Sequence, residues 1–478
     1  AEQGPVTGTQ PLLPIQHWFF EQAFIHQNHW NMAVLLEVKQ DMDGVLLENA
    51  LSYLVEHHDA LRIRFNQTSS GWQQVNNDSH ENAIFSLVDL SNELDTSRIK
   101  ETISEAQTSL DLSEGPLLRV VYFNCGENHP DLLLTIVHHL VVDGVSWQIL
   151  LQDLQMVYQQ LEEGIPVQLP RKTTSFKYWA EKLAAYANSD EMQREQTYWP
   201  AEIGEQIARL PLDYGREAAL LNTVSSQQAV TVSLAVEETR ALLHEVPAAY
   251  NTQINDILLT ALTQAITKWT GGSQLLVDLE GHGRELLFDD VDLSRTVGWF
   301  AVVHPVLLTL TQHSNLGEVI KSIKEQLHSI PHGGIGYGLL RYLSKNSEIR
   351  EKFGSLPQAE ISFNYMGQFD QLLPAASRFG VSSISPGTTE DPESKRPYLL
   401  EVSGGVQNGR LQMTWFYSQQ IHRQDTIQTL AQDYIDFLTS LIKHCQAPET
   451  GGYTPSDFPK ARLQQKELDL FLSKLKDM

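Results

Sequence analysis

The chain is expected to fold as an α/β protein of two lobes, each built on its own sheet. Three observations point that way. Strand-like and helix-like patterns alternate through both halves of the 478 residues. In each half a β-rich run leads straight into a polar, glycine-bearing motif, HHLVVDG at 138–144 and EGHGRE at 280–285. Between the halves, residues 188–215 are polar and contain proline, which marks a boundary.

The elements follow in order. Residues 45–58 place Val45, Leu47, Leu51, Leu54, Val55 and His58 on one helical face. LRIRF (61–65) reads as a strand. LLRVVYF (117–123) and LLLTIV (132–137) are β-rich runs joined by CGENHPD, as in a hairpin. After HHLVVDG, the residues Trp147, Leu150, Leu151, Leu154, Tyr158 and Leu161 keep a helical period until Gly164 and Pro166 stop it. Residues 162–173 are a connector and 175–187 a further helix. In the second half, VTVSL (230–234) alternates like a strand. Residues 254–269 carry a long apolar helical stripe from Ile254 to Trp269. QLLVDL (274–279) is a strand feeding EGHGRE. The apolar run 300–310 precedes a helix near 316–329, and strands are predicted at 359–365, 398–406 and 410–417. The predicted divisions are an N-terminal lobe (1–187), a C-terminal lobe (188–452) and a tail (453–478). In the tail, YTPSDFPK precedes a short amphipathic helix with Leu468, Phe471, Leu472 and Leu475 on one face.

Composition removes several function classes. Hydrophobic residues make up 41% and charged ones 19%, enough for a large core and against global disorder. With 34 Lys+Arg and 59 Asp+Glu the formal charge is −25, which repels phosphate backbones and argues against a nucleic-acid partner. Cys125 and Cys445 have no metal or redox spacing and read as buried thiols in a reducing, cytoplasmic compartment. No apolar run approaches the length of a membrane span, so no membrane partner is expected. The start, AEQGPVTGTQPLLPIQ, lacks the basic and apolar regions of a signal peptide and does not begin with Met, as expected for a piece of a longer chain.

Four constellations carry polar chemistry. In HHLVVDG, His138 or His139 can serve as a general base near neutral pH. Asp143 can orient the loop, and Gly144 permits the turn into a helix. His57-His58-Asp59 has a similar composition but lies in an amphipathic helix, and it reads as structural. In EGHGRE, Glu280 at a strand end can be a base, and Arg284 can hold it or supply positive charge to an oxyanion. Taken alone, that motif reads more readily as a salt-bridged surface turn. FNYMGQFD (363–370) offers Asn364 and Tyr365 as neutral donors. IPHGGIGYG (330–338) is a glycine-rich turn able to close over a cleft. No metal-ligand spacing accompanies His138 and His139.

Order and context make these patterns specific. HHLVVDG resembles the HHxxxDG signature of the condensation-domain superfamily of nonribosomal peptide synthetases, and PIQHWFF (14–20) and HHDALRIRF (57–65) resemble its early motifs. HHLVVDGVSWQILLQDL, KTTSFKYWA (172–180), DLEGHGRE, SRTVGWF (294–300), IPHGGIGYG and FNYMGQFD are similar, in order, to motifs of its epimerization branch. The resemblance spans about residues 10–460. Two positions depart from it: His304 replaces a usual aromatic, and His332-Gly333 replaces a common Asn-Lys.

The resemblance implies a chloramphenicol-acetyltransferase-like fold, a pseudo-dimer with a channel between lobes. It implies L-to-D epimerization at the Cα of an aminoacyl or peptidyl thioester, tethered to the 4′-phosphopantetheine arm of an upstream carrier domain. By the same resemblance His139 and Glu280 are the acid/base pair. Arg284, Asn364 and Tyr365 position Glu280 or stabilise the oxyanion, and His138 and Asp143 are structural. No metal or pyridoxal phosphate is implied. The tail resembles a docking segment for a downstream synthetase, in which case the substrate is a single aminoacyl group. Two alternatives share HHxxxDG: a condensation domain joining two carrier-bound amino acids, and an inactive carrier-docking scaffold.

Overall fold

The computed structural model describes all residues except 1, 79–83, 93–94, 204–206, 286, 311–314, 369–376, 449, 462–463 and 477–478. Phe369 and Asp370 of the FNYMGQFD motif, and the side chains of Leu472 and Leu475 in the tail, therefore lie outside the described residues.

The N-terminal lobe holds a five-stranded sheet in the order Phe379–Val381, Asn31–Val38, Asp131–His138, Leu118–Asn124, Phe85–Asp89. Leu118–Asn124 and Asp131–His138 form the expected antiparallel pair. Asp131–His138 reads as one unbroken apolar run because both of its faces are covered. Leu133 and Val137 face the largest core, with the helices Gly44–His57 and Gly144–Glu162. Leu132, Leu134 and Ile136 face a smaller core under the helix Thr96–Gln107. A separate three-stranded sheet pairs Gly8–Gln10, Gly71–Asn76 and Ile63–Thr68.

The C-terminal lobe holds six strands in the order Val302–Thr309, Gln274–Gly281, Ile361–Gln368, Leu400–Gln407, Arg410–Ser418, Gln227–Ser233. Alternation along these strands gives the sheet two unlike faces. Val277, Phe363, Val402 and Trp415 pack under the helices Ile254–Thr270, Leu316–His328 and Gln424–Gln446. The opposite face is polar. Register places Asp278 beside Ser362, Ser362 beside Glu401, and Asn364 beside Ser403. Glu280 lies two residues beyond Asp278, so it shares that face.

The sequential division of the lobes is not a packing boundary. The strand Phe379–Val381 belongs to the second half of the chain but pairs with Asn31–Val38. Trp299, Phe300, Ile335, Tyr337, Leu340 and Phe353 are buried in the same core as the N-terminal helices. The large core thus joins the lobes.

Several local expectations change. The helix starts at Gly44, capped by the Asp43 carboxylate, and ends at His57, so Asp59 starts a 3-10 turn instead. Val45 is 67% exposed and does not join the apolar face. The glycine-rich 330–338 segment is a pair of short helical turns, continued by a π turn through Leu343, with Ile335, Tyr337, Leu339 and Leu340 buried. His304 is buried against Trp199, and a Cβ at Gly334 would lie 2.1 Å from its ring. His332 lies between Glu191 and Glu195 at 2.9 and 3.1 Å. In the tail, Asp457 receives the buried Lys324 ammonium at 2.6 Å. The helix Gln465–Lys476 buries Leu468 while Phe471 is exposed, so the predicted common face is divided.

Candidate active site

His138 ends its strand fully buried. Its Nδ1 accepts the Leu140 N–H at 3.2 Å, which leaves the proton on Nε2 to be donated to the Gln27 carbonyl at 2.8 Å. Burial holds its pKa down at about 3, and both nitrogens are occupied. His139 differs by one bond. Its Nδ1–H donates to the Val142 carbonyl at 3.0 Å, so Nε2 carries the free lone pair. Burial lowers this pKa too, which keeps the ring neutral and basic at neutral pH. The imidazole stacks on Trp30 and packs against Trp299, each at 4.7 Å between centroids.

Asp143 caps the helix Gly144–Glu162, accepting the Ser146 N–H at 2.7 Å. Both of its oxygens also receive Arg284 Nη2 at 3.0 Å. Arg284 Nη1 donates to the carbonyls of Leu293 and Thr296, and the guanidinium lies 4.1 Å over the Phe300 ring. Ser146 Oγ donates to the Gly298 carbonyl and accepts the Gly298 N–H. The segment from Arg284 to Phe300 is thereby bolted to the signature helix, and it delivers Trp299 to His139. This places Arg284 away from the role expected for it. Its Nη donors go to Asp143, Ser146 and the loop backbone, and none of its hydrogen bonds reaches Glu280, so they position the loop.

Glu280 lies on the strand itself, since the strand continues to Gly281. It pairs in register with Val303, four residues after the Trp299 that touches His139. The residue keeps exposed surface while its carboxyl is surrounded by protein, and the Asn364 side chain hydrogen-bonds that carboxyl. Desolvation, with smaller contributions from the charges of Asp143 and Glu401, pushes its pKa up to about 7. Asn364 and Glu280 are thus brought together. Tyr365 is not: one residue further along, it leaves the opposite side of the strand and packs against the second core.

Sequence reasoning assigned no role to several neighbours. Tyr398 donates to Asp278 at 2.8 Å, and burial raises the Asp278 pKa to about 6. Arg396 pairs with Glu401. Trp30 and Trp299 flank His139; Trp299 lies within the SRTVGWF motif, which was the available signal. Asp278 also lines a small cavity of about 40 Å³, with Trp18, Phe300, Tyr337 and Arg341 among its walls. Among the described residues, the cluster with metal-ligand character is His57, His58 and Asp153. There the Asp153 carboxylate is already paired with His58 and Arg295, an ion-pair network apart from His139.

The structure thus offers a neutral imidazole with a free lone pair on one lobe and a carboxyl of near-neutral pKa on the other. Burial favours the neutral form of each, so the imidazole is able to accept a proton and the carboxyl to give one.

Comparison with known proteins places this geometry. The condensation-domain family profile matches residues 6–464. The chain is 47% identical over 480 residues to one of the linear gramicidin synthase proteins of Brevibacillus parabrevis, covering 99% of this chain and 6% of that protein. It is 39% identical to tyrocidine synthase 2 of the same organism, covering 99% of this chain and 13% of that protein. The chain therefore spans a small fraction of these relatives' length. The crystal structure of the epimerization domain from the third module of tyrocidine synthetase B superposes with a TM-score of 0.84 at 38% identity, covering 93% of this chain and 98% of that one. The condensation domain of the monacolin K polyketide synthase shares the fold, with a TM-score of 0.70 at 15% identity, covering 94% of this chain and 99% of that one. The two-lobed fold is that of these neighbours.

Proposed function

We propose that this chain, which belongs to the condensation-domain family, epimerises the Cα of an aminoacyl or peptidyl thioester carried on the phosphopantetheine arm of an upstream carrier domain. The observation that carries this reading is Glu280. A carboxyl with its pKa pushed up to about 7 and hydrogen-bonded by Asn364 on the polar face of the second sheet is a second proton-transfer group, which this reading sets opposite neutral His139. Inversion needs two such groups. One takes the Cα proton, negative charge moves onto the thioester oxygen, and the other returns a proton to the opposite face of Cα. No atom is gained or lost, and the two groups end with their protonation states exchanged.

Asn364 N–H groups are suitably placed to orient Glu280. Arg284 acts at a distance by fixing Asp143 and the Trp299 loop. The thioester supplies the Cα acidity, so the reaction as written calls for no further group. The 38% identity to an epimerization domain supports the same reading. The setting is cytoplasmic, and the tail helix is proposed to dock a downstream synthetase.

The test is Cα–H exchange in D₂O on a carrier loaded with an L-aminoacyl thioester. Deuterium uptake with a mixed L/D product is expected, with Glu280→Gln and His139→Ala each reduced about 10²–10⁴-fold. Formation of a dipeptidyl thioester from two loaded carriers, without exchange, would instead establish condensation.

A further inference from the structure

The segment after the strand Phe379–Val381 crosses from the first sheet to the second and passes beside Trp30. Its backbone runs antiparallel to residues 29–31. The Asn31 N–H donates to the Thr389 carbonyl at 2.8 Å, and the Asp391 N–H donates to the His29 carbonyl at 3.1 Å. Trp30 and Glu390 are directly opposed in a β-bridge between these bonds. Directly opposed residues project to the same face, with Cβ atoms about 4.5–5.5 Å apart. The Glu390 side chain therefore leaves the strap on the side of the Trp30 indole, which stacks on His139 at 4.7 Å.

Among the described residues, the Glu390 carboxyl makes no hydrogen bond or ion pair. The cation whose charge reaches it is Arg396, which is already paired with Glu401 and whose Nη1 donates to Asn222. Asp143 and Arg284 neutralise one another. The charges that act on Glu390 are thus the Glu401 carboxylate and the Arg396 guanidinium already paired with it, which leaves Glu390 without a cation of its own. Desolvation and the neighbouring Glu401 raise the Glu390 pKa to about 7, the mark of a carboxyl lacking a counter-charge. Beside it stands Trp30, whose ring lies 5.0 Å from that of Trp299. Indole faces attract cations.

We infer that Glu390 is a substrate-binding residue that receives the α-ammonium group of a single aminoacyl thioester, against the Trp30 indole. This rests on the thioester-epimerase reading above and narrows it. A peptidyl thioester presents a neutral amide at that position and leaves the carboxylate unpaired, so the site discriminates by the charge of the α-nitrogen.

The test uses the full chain and a thioether analogue of aminoacyl-pantetheine, with its amine free or N-acetylated. Calorimetry on wild type is expected to show at least a tenfold preference for the free amine. Glu390→Gln should reduce that preference to about threefold or less, in keeping with loss of a charge-assisted hydrogen bond. The N-acetyl analogue and the thermal midpoint check that the variant is folded. Equal affinity of wild type for the two analogues, no measurable affinity for the amine, or an equal loss on both in Glu390→Gln would overturn the inference. Cα–H exchange on aminoacyl and N-acetyl-aminoacyl carriers is run in parallel. Absence of exchange on both defeats the epimerase reading, while amine preference in binding still decides the role of Glu390.

Discussion

At His138 and His139, adjacent residues differ in what remains free on the ring. Both nitrogens of His138 are bonded to backbone, whereas His139 keeps Nε2. The pair was visible in the sequence, but the division of labour depends on carbonyls supplied by Gln27 and Val142. Glu280 carries a consequence for stability. Its folded pKa of about 7 exceeds the usual 4.5, so between these values the folded state holds more protons than the unfolded one. Stability contributed by this group is present below about pH 4.5 and is lost as pH rises through 7. Glu280→Gln should therefore melt at a higher temperature than wild type at pH 8, with the difference shrinking toward pH 5. An equal or lower midpoint at pH 8 would contradict this. Arg284 makes a second residue-scale case. Arg284→Ala leaves Asp143 partly buried without its cation, at a cost of about 3–5 kcal/mol in urea unfolding. His282→Ala, at a largely exposed ring, should cost within about 1 kcal/mol.

At the scale of elements, the two glycines of EGHGRE separate. Gly281 is the last residue of its strand, and a Cβ there would meet only the Val302 carbonyl at 3.9 Å. Gly283 has φ +65°, and a Cβ would fall 1.7 Å from the Phe300 carbonyl oxygen. The loop that carries Arg284 and Trp299 turns back too tightly there for any side chain. Gly283→Ala should destabilise by about 2–4 kcal/mol and loosen the Trp299 contact, read as a shift in tryptophan fluorescence. Gly281→Ala should stay within about 1 kcal/mol in the same unfolding experiment. The sequence marked a turn here without showing which glycine makes it. Similarly, the apolar stripe of Ile254–Thr270 and the alternation in Leu400–Gln407 were legible, because one face of each is set against a core. The 330–338 segment was not, because its glycines suggest a loop while its buried Ile335, Tyr337 and Leu340 bind it to the large core.

At the scale of the whole molecule, the large core draws on both halves of the chain. A fragment ending at residue 187 lacks the edge strand Phe379–Val381 and the buried Trp299, Phe300 and Phe353. It should fail to give cooperative thermal unfolding or dispersed NMR signals, while the full chain gives both. A fragment that folds like the intact lobe would refute the shared core. The same sharing explains how the site forms. His139 follows a strand of one sheet and Glu280 lies on a strand of the other, and the Arg284–Phe300 segment that follows Glu280 is fixed on the signature helix beside His139.

The chain's order of motifs already indicated an α/β fold of two lobes, and its periodicity the helices that cover each sheet, while His139 and Glu280 were singled out by the resemblance of their motifs to a family. Periodicity and motif order are carried by a linear string. Tertiary structure alone decided that Arg284 serves Asp143, that Tyr365 turns to the core while Asn364 meets Glu280, and that Glu390 stands beside Trp30. Each of those outcomes depends on strand register and on a partner more than a hundred residues away in two of the cases. Hydrogen-bond donors and carboxyls acquire their roles from such neighbours, which folding supplies and sequence spacing does not.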